Sequence, residues 1–200
     1  MALRYVALGD SYTIGTSVGP DDRWPDRLVA ALGPAEPTLG LVANLAVNGF
    51  TTEDVNHHEL PMLDELRPDF VSVLIGVNDV VRDRPPAVIA ANIGMILDDA
   101  VRRVGAGRIV TVAVPDYTVT PAGADYGDPR RRHDAIVVVN AAMADASADR
   151  GIAFVDIFDI SLRAADDRAL VAADGLHPSG AQYALWVERI APVVARLIGR

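Results

Sequence analysis

The 200-residue chain contains no cysteine and no lysine, so all eighteen of its basic residues are arginine. Without a thiol there is no cysteine nucleophile, disulfide, iron–sulfur cluster or thiolate-ligated zinc. Without an amine side chain there is no Walker-type phosphate loop, Schiff base or serine–lysine dyad. No uninterrupted apolar run approaches membrane-spanning length. The opening Met1–Leu8 lacks the long apolar core and small-residue cleavage site of a secretory leader, so a soluble, cytoplasmic protein is expected. A formal charge of −9 argues against general nucleic-acid binding and against docking on an anionic membrane. What remains is chemistry done by hydroxyls, imidazoles, carboxylates and backbone amides.

Half of the residues are apolar, enough for a substantial core, and neither repeats nor a linker divide the chain, so one domain over residues 1–200 is expected. Short runs rich in Val and Ile alternate with amphipathic stretches. Tyr5–Leu8, Leu41–Leu45, Phe70–Ile75, Ile109–Val114 and Ile152–Val155 read as five buried strands. Between the third and fourth lies Pro85–Val104, apolar at helical spacing, with prolines at its start and Gly105 just past its end. Trp24–Leu32, parts of Thr52–Leu66 (broken at Pro61) and Arg130–Asp149 supply the other crossings. Ser179-Gly180-Ala181-Gln182 reads as a capping box opening a last helix, which Pro192 should kink. Such alternation predicts an α/β protein: parallel strands joined by right-handed crossovers, with helices on both faces of one sheet.

In that architecture every strand's carboxyl end opens onto one rim, where ligands bind. The segments placed there are Gly9-Asp10-Ser11, Asn48-Gly49-Phe50, Gly76-Val77-Asn78-Asp79, the Asp116–Pro129 loop and Asp174-Gly175-Leu176-His177. A serine becomes a nucleophile when a base takes its proton. Of four histidines, only His177 falls on a rim loop, with Asp174 three residues upstream to orient the imidazole. The side chain of Asn78 and the N–H groups of Gly49 and Ser11 are candidate donors to an oxyanion. Ser11, His177 and Asp174 are thus the candidate catalytic residues, with Ser11, Gly49 and Asn78 forming the oxyanion hole.

These blocks resemble those of the SGNH hydrolases, also called GDSL-type esterases and lipases, in order and over the chain from Gly9 to about Gly180. Gly9-Asp10-Ser11 is similar to the nucleophile block, and Asn44–Gly49 to the second block, whose glycine donates to the oxyanion. Gly76-Val77-Asn78-Asp79 is similar to the third, and Asp174-Gly175-Leu176-His177-Pro178 to the last. The resemblance implies a three-layer α/β/α flavodoxin-like sandwich with a five-stranded parallel sheet ordered 2-1-3-4-5. It also implies a cofactor-free serine esterase or related acyl hydrolase acting on a small or short-chain carboxylic ester. Tyr12 stands where the family name expects leucine and should shape the pocket beside the nucleophile.

Tyr12, Phe50, Val77 and Tyr117 are the candidate substrate-binding residues, with Val80 nearby and the long Asp116–Pro129 loop as a wall. Asp10 and Asp79 read as structural acids. A metal site joining Asp174 and His177 to His57, His58 or Glu59 is disfavoured because the histidine pair falls on a helix. Arg130-Arg131-Arg132 reads as a solvated helix start. An acyltransferase, a thioesterase or a lysophospholipase would use the same machinery, and a non-catalytic ligand-binding module on the same fold is the non-enzymatic alternative.

Overall fold

The computed structural model describes residues 2–199. Its five strands are β1 (Leu3–Gly9), β2 (Leu39–Asn44), β3 (Phe70–Leu74), β4 (Ile109–Val112) and β5 (Ala153–Val155). They form one sheet in the order β2-β1-β3-β4-β5, every neighbouring pair parallel. The nine α-helical segments among the described residues are α1 (Ser11–Ile14), α2 (Trp24–Leu32), α3 (Thr52–Asp54), α4 (Leu63–Leu66), α5 (Val77–Val81), α6 (Pro86–Val104), α7 (Pro129–Ala148), α8 (Phe158–Leu162) and α9 (Gly180–Leu197). Helix α2 packs against α9, and α6 against α7, which gives the α/β/α layering.

Central β3 is buried at all five positions, as a parallel strand covered on both faces must be. Helix α6 presents Ile89, Ile93, Ile96, Leu97 and Ala100 to the core. Complete burial of Ile93, Ile96 and Leu97 stabilises the fold by roughly 2 kcal/mol each, so one carboxylate at Ile93 would undo the layer. Strand β4 ends two residues earlier than its apolar run. The amide of Asn140 on α7 takes over the backbone of Val114, accepting from its N–H at 2.7 Å and donating to its carbonyl at 2.9 Å.

Two local expectations are revised. Ser179 caps α9 by accepting the Gln182 N–H, but Gln182 donates its amide to the Leu170 carbonyl instead of returning to Ser179. The motif is therefore half a capping box, and its other half anchors the preceding loop. Around Pro61 the chain passes from α3 through a π-helical turn, Val55–Glu59, and a 3-10 turn, Leu60–Met62, into α4. The helical path changes pitch there and continues.

Candidate active site

The loop that carries Ser11, the candidate nucleophile, leaves β1 through Gly9, at φ +153°. A Cβ at this position would stand 2.3 Å from the Leu74 carbonyl oxygen, so only glycine lets the chain pass that close to β3. Asp10 then caps α1, its Oδ1 accepting the Tyr12 N–H at 3.0 Å. That cap is the structural task expected of Asp10. Ser11 opens α1, and its N–H has no partner among the described residues, as is usual for the first amide of a helical turn.

Asp174 and His177 sit on a loop pinched at its base by the isolated bridge Val171–Pro178, with the Ala172 N–H donating to the His177 carbonyl at 2.8 Å. The carboxylate is fully engaged. Oδ1 accepts the N–H groups of Leu176 and His177 at 2.9 and 3.0 Å, while Oδ2 accepts the Ser17 hydroxyl at 2.5 Å and meets His177 Nδ1 at 2.6 Å. Burial alone would raise the Asp174 pKa. The Ser17 hydroxyl, the Leu176 N–H and the two bonds from His177 outweigh it and hold the acid well below the usual carboxylate range. An ionised Asp174 takes a proton-bearing Nδ1, which leaves Nε2 with its lone pair. The Tyr12 ring centroid stands 5.7 Å from that of the imidazole and 6.5 Å from that of Trp186.

Ser11, Tyr12, Asn48, Val77, Asn78, Val81, Tyr117, Tyr126, Leu176 and His177 line one cleft of ≈ 140 Å³. It brings together the expected nucleophile, base and asparagine, with three of the four expected substrate-contacting residues. The long loop contributes Tyr117 and Tyr126, whose rings meet edge to face with centroids 6.0 Å apart. Asn78 donates one amide N–H to the Phe50 carbonyl at 2.9 Å and keeps a second for another acceptor. Arg82, one turn along α5, donates to the Gly49 carbonyl at 2.8 Å. Both bonds hold the Gly49–Phe50 loop, which turns through Gly49 at φ +86°.

Other expectations are met differently. Phe50 does not line the cleft: its ring packs on His58 at 5.7 Å and only its carbonyl faces Asn78. Val80 points into the core side of α5, and the adjacent Val81 lines the cleft instead. Asp79 is buried, accepting the N–H and hydroxyl of Thr52 at 2.8 Å each, which ties α3 to α5. Arg132 is not solvated. It is buried, bonds the carbonyls of Val80, Val81 and Tyr126, and pairs with Asp83. His57 is occupied at Nδ1 with the Glu53 carbonyl, and no group of three or more metal-ligating side chains stands together among the described residues. Nor is any helix among them long and apolar enough to cross a membrane.

Ser17 and Arg82 escaped the sequence reading, and Glu59 entered it only as a disfavoured metal ligand. Ser17 reaches Asp174 across 157 positions, a contact no local pattern announces. Arg82 could have been found, since it lies one helical turn beyond Asn78 and shares its face. Glu59 is a charged residue in a stretch that packs on β1, and its Oε2 accepts the Gly9 N–H at 2.9 Å.

Comparison with known proteins agrees with this architecture. An arylesterase of Vibrio mimicus is 30% identical over 94 residues, which make up 47% of this chain and 46% of that protein, so the match spans about half of each. The solved structure of TesA superposes with a TM-score of 0.75 at 21% identity, covering 97% of this chain and 99% of that one. Axe2, an acetylxylan esterase from Geobacillus stearothermophilus, gives a TM-score of 0.72 at 20% identity, covering 99% and 94%. These two structures share the fold. The model of the GDSL-like lipase/acylhydrolase family matches residues 7–185, and the chain therefore belongs to that family.

Proposed function

We propose that the protein is a serine esterase that cleaves small or short-chain carboxylic esters through an acyl-enzyme on Ser11. The observation that carries this reading is the convergence of Ser11, Asn78 and His177 on one cleft, with the imidazole held by Asp174 at 2.6 Å. Ser11 Oγ attacks the ester carbonyl carbon as His177 Nε2 removes its proton. The carbonyl oxygen becomes an oxyanion, held by the N–H groups of Ser11 and Gly49 and the free amide N–H of Asn78. The C–O bond then breaks, and His177 returns the proton to the leaving alkoxide. Water repeats the sequence on the acyl-enzyme and releases the acid.

A cleft of ≈ 140 Å³ walled by Tyr12, Val77, Tyr117 and Tyr126 favours a compact acyl or alcohol group over a long chain. Similarity to an arylesterase and a fold shared with an acetylxylan esterase are consistent with an uncharged ester substrate. The net charge of −9 makes nucleic acid an unsuitable partner. The test is hydrolysis of a p-nitrophenyl ester chain-length series by wild type and Ser11→Ala. Turnover confined to wild type, greatest for the shortest acyl chains, is the expected result; equal rates in both proteins would remove Ser11 as nucleophile.

A further inference from the structure

Two acids back the nucleophile loop and take no part in the acyl-transfer steps. Asp10 is wholly buried and Glu59 is 2% exposed. Each uses one oxygen on the loop's backbone: Glu59 Oε2 accepts the Gly9 N–H and Asp10 Oδ1 the Tyr12 N–H. The other oxygens, Asp10 Oδ2 and Glu59 Oε1, are buried without a hydrogen-bond partner. Glu59 reaches this place because it closes the π-helical turn Val55–Glu59. Such a turn holds one residue more than an α-helix would, and one residue rotates all that follows by about 100°. In plain α-helix the Glu59 side chain would leave the nucleophile loop.

The pair has no counter-charge. Among the described residues no arginine or histidine bonds either carboxyl. The charged groups acting on them are acids, Asp79 of α5 toward Asp10 and Asp54 of α3 toward Glu59, while the Asp10 charge itself acts on Glu59. Cations act on the outer acids instead, Arg84 on Asp79 and Arg82 on Asp54, while Arg23 acts on the Tyr183 phenol. The phenols of Tyr12 and Tyr183 also feel the Asp10 charge and stay neutral. From α6 the group facing this turn is uncharged, the Asn92 carbonyl that accepts from Asn56. Carboxyl groups buried without a cation resist ionisation, the more so when another acid's charge acts on them.

We propose that Glu59 is a positioning residue for the nucleophile: its uncharged carboxyl holds Gly9 by accepting its N–H, and its second oxygen stays buried without a partner. Loss of the carboxyl proton puts an uncompensated charge in this buried position behind the Ser11 loop and disengages it. The inference rests on the reading of Ser11 as nucleophile. Burial first, and then neighbouring acids, push both carboxyls up to about 8. The folded protein therefore binds more protons than the unfolded chain between the ordinary carboxylate range and that value. Stability falls as pH rises across this window and levels above it.

Glu59→Gln cannot ionise and keeps the acceptor for Gly9; Glu59→Leu cannot ionise and removes that acceptor. Wild-type kcat on p-nitrophenyl acetate is expected to fall about tenfold between roughly pH 7 and pH 9 with KM unchanged, while the Glu59→Gln profile stays level. Glu59→Leu is expected to lose about tenfold in kcat at every pH. Thermal unfolding gives a readout independent of turnover: Glu59→Gln should exceed wild type in Tm near pH 9 and match it near pH 5. Parallel decline of wild type and Glu59→Gln, or Tm values that differ equally at both pH values, overturns the proposal. Labelling by a fluorophosphonate separates the two readings. If Ser11→Ala labels as well as wild type, the nucleophile assignment falls and this inference with it; if labelling needs Ser11 but the profiles run parallel, only the role of Glu59 falls.

Discussion

Asp174–His177 and Asp116–His133 each join a carboxylate Oδ2 to an imidazole Nδ1 at 2.6 Å. Their surroundings are reversed. In the first pair the ring is the sheltered partner, with side-chain exposures of 11% for His177 and 31% for Asp174. In the second the acid is sheltered, at 0% for Asp116 against 38% for His133. His177 shares its cleft with Ser11, whereas the His133 ring packs on Phe158 at 5.5 Å. Asp116 spends its remaining capacity on structure: its Oδ1 accepts the Thr118 N–H, and its own N–H donates to Ser161 Oγ, each at 2.8 Å. An acid–imidazole bond is thus a general way to fix a ring. It becomes a catalytic base only where the free nitrogen shares a cleft with a nucleophile and oxyanion donors.

The sharpest way to break the comparison is to delete each ring. His177→Ala is expected to lower kcat by about a thousandfold or more, and His133→Ala by no more than about threefold, in steady-state ester hydrolysis. Similar losses from both would mean that the two pairs are not functionally distinct. The acids should separate in the opposite sense. Asp174→Asn, which favours the wrong imidazole tautomer, should cost roughly a hundredfold or more in kcat. Asp116→Ala strands the Thr118 N–H and frees the half-exposed His133 ring, and should cost about 2 kcal/mol of stability in urea unfolding while leaving kcat nearly intact. Asn78→Ala should follow, at about a hundredfold in kcat with KM little affected, because an oxyanion donor acts mainly in the transition state.

That difference between the two pairs was half legible in the sequence. His177 follows Asp174 by three residues and precedes a helix cap, so pairing and placement could be read locally. His133 lies beside an arginine run and 17 residues from Asp116, and nothing local shows that the loop between them folds back. The strands were legible for the same reason as the first pair: a parallel strand buried on both faces is a continuous apolar run. Their ends were less so, since β4 stops where Asn140 intercepts Val114 from another helix. Phe50 illustrates the limit most plainly. Its position after the second block placed it at the rim, but side-chain direction depends on the turn at Gly49 and on the nearby His58 ring. Arg132 was misread because a run of three arginines does not reveal which one turns inward to the α5 carbonyls.

Within the first pair's surroundings the smallest expected effect belongs to Ser17, and it tests why the exposed acid of that pair works at all. Asp174 keeps about a third of its side-chain surface in contact with water, unlike Asp116, so burial does not hold it in place. Hydrogen bonds do, and the Ser17 hydroxyl is the one that comes from the nucleophile's side of the cleft. Ser17→Ala removes a bond that favours the ionised carboxylate, so Asp174 will take up its proton at higher pH than in the wild type. A carboxylate held below its ordinary range contributes stability that is present above that range and is lost as pH falls through its folded value. The variant should therefore lose only about twofold to fivefold in kcat near neutrality, with the deficit widening on acidification. Parallel pH–rate profiles for Ser17→Ala and wild type would mean that the two amides and the imidazole alone keep Asp174 ionised. A deficit that grows toward acid would assign Ser17 the part that complete burial plays for Asp116.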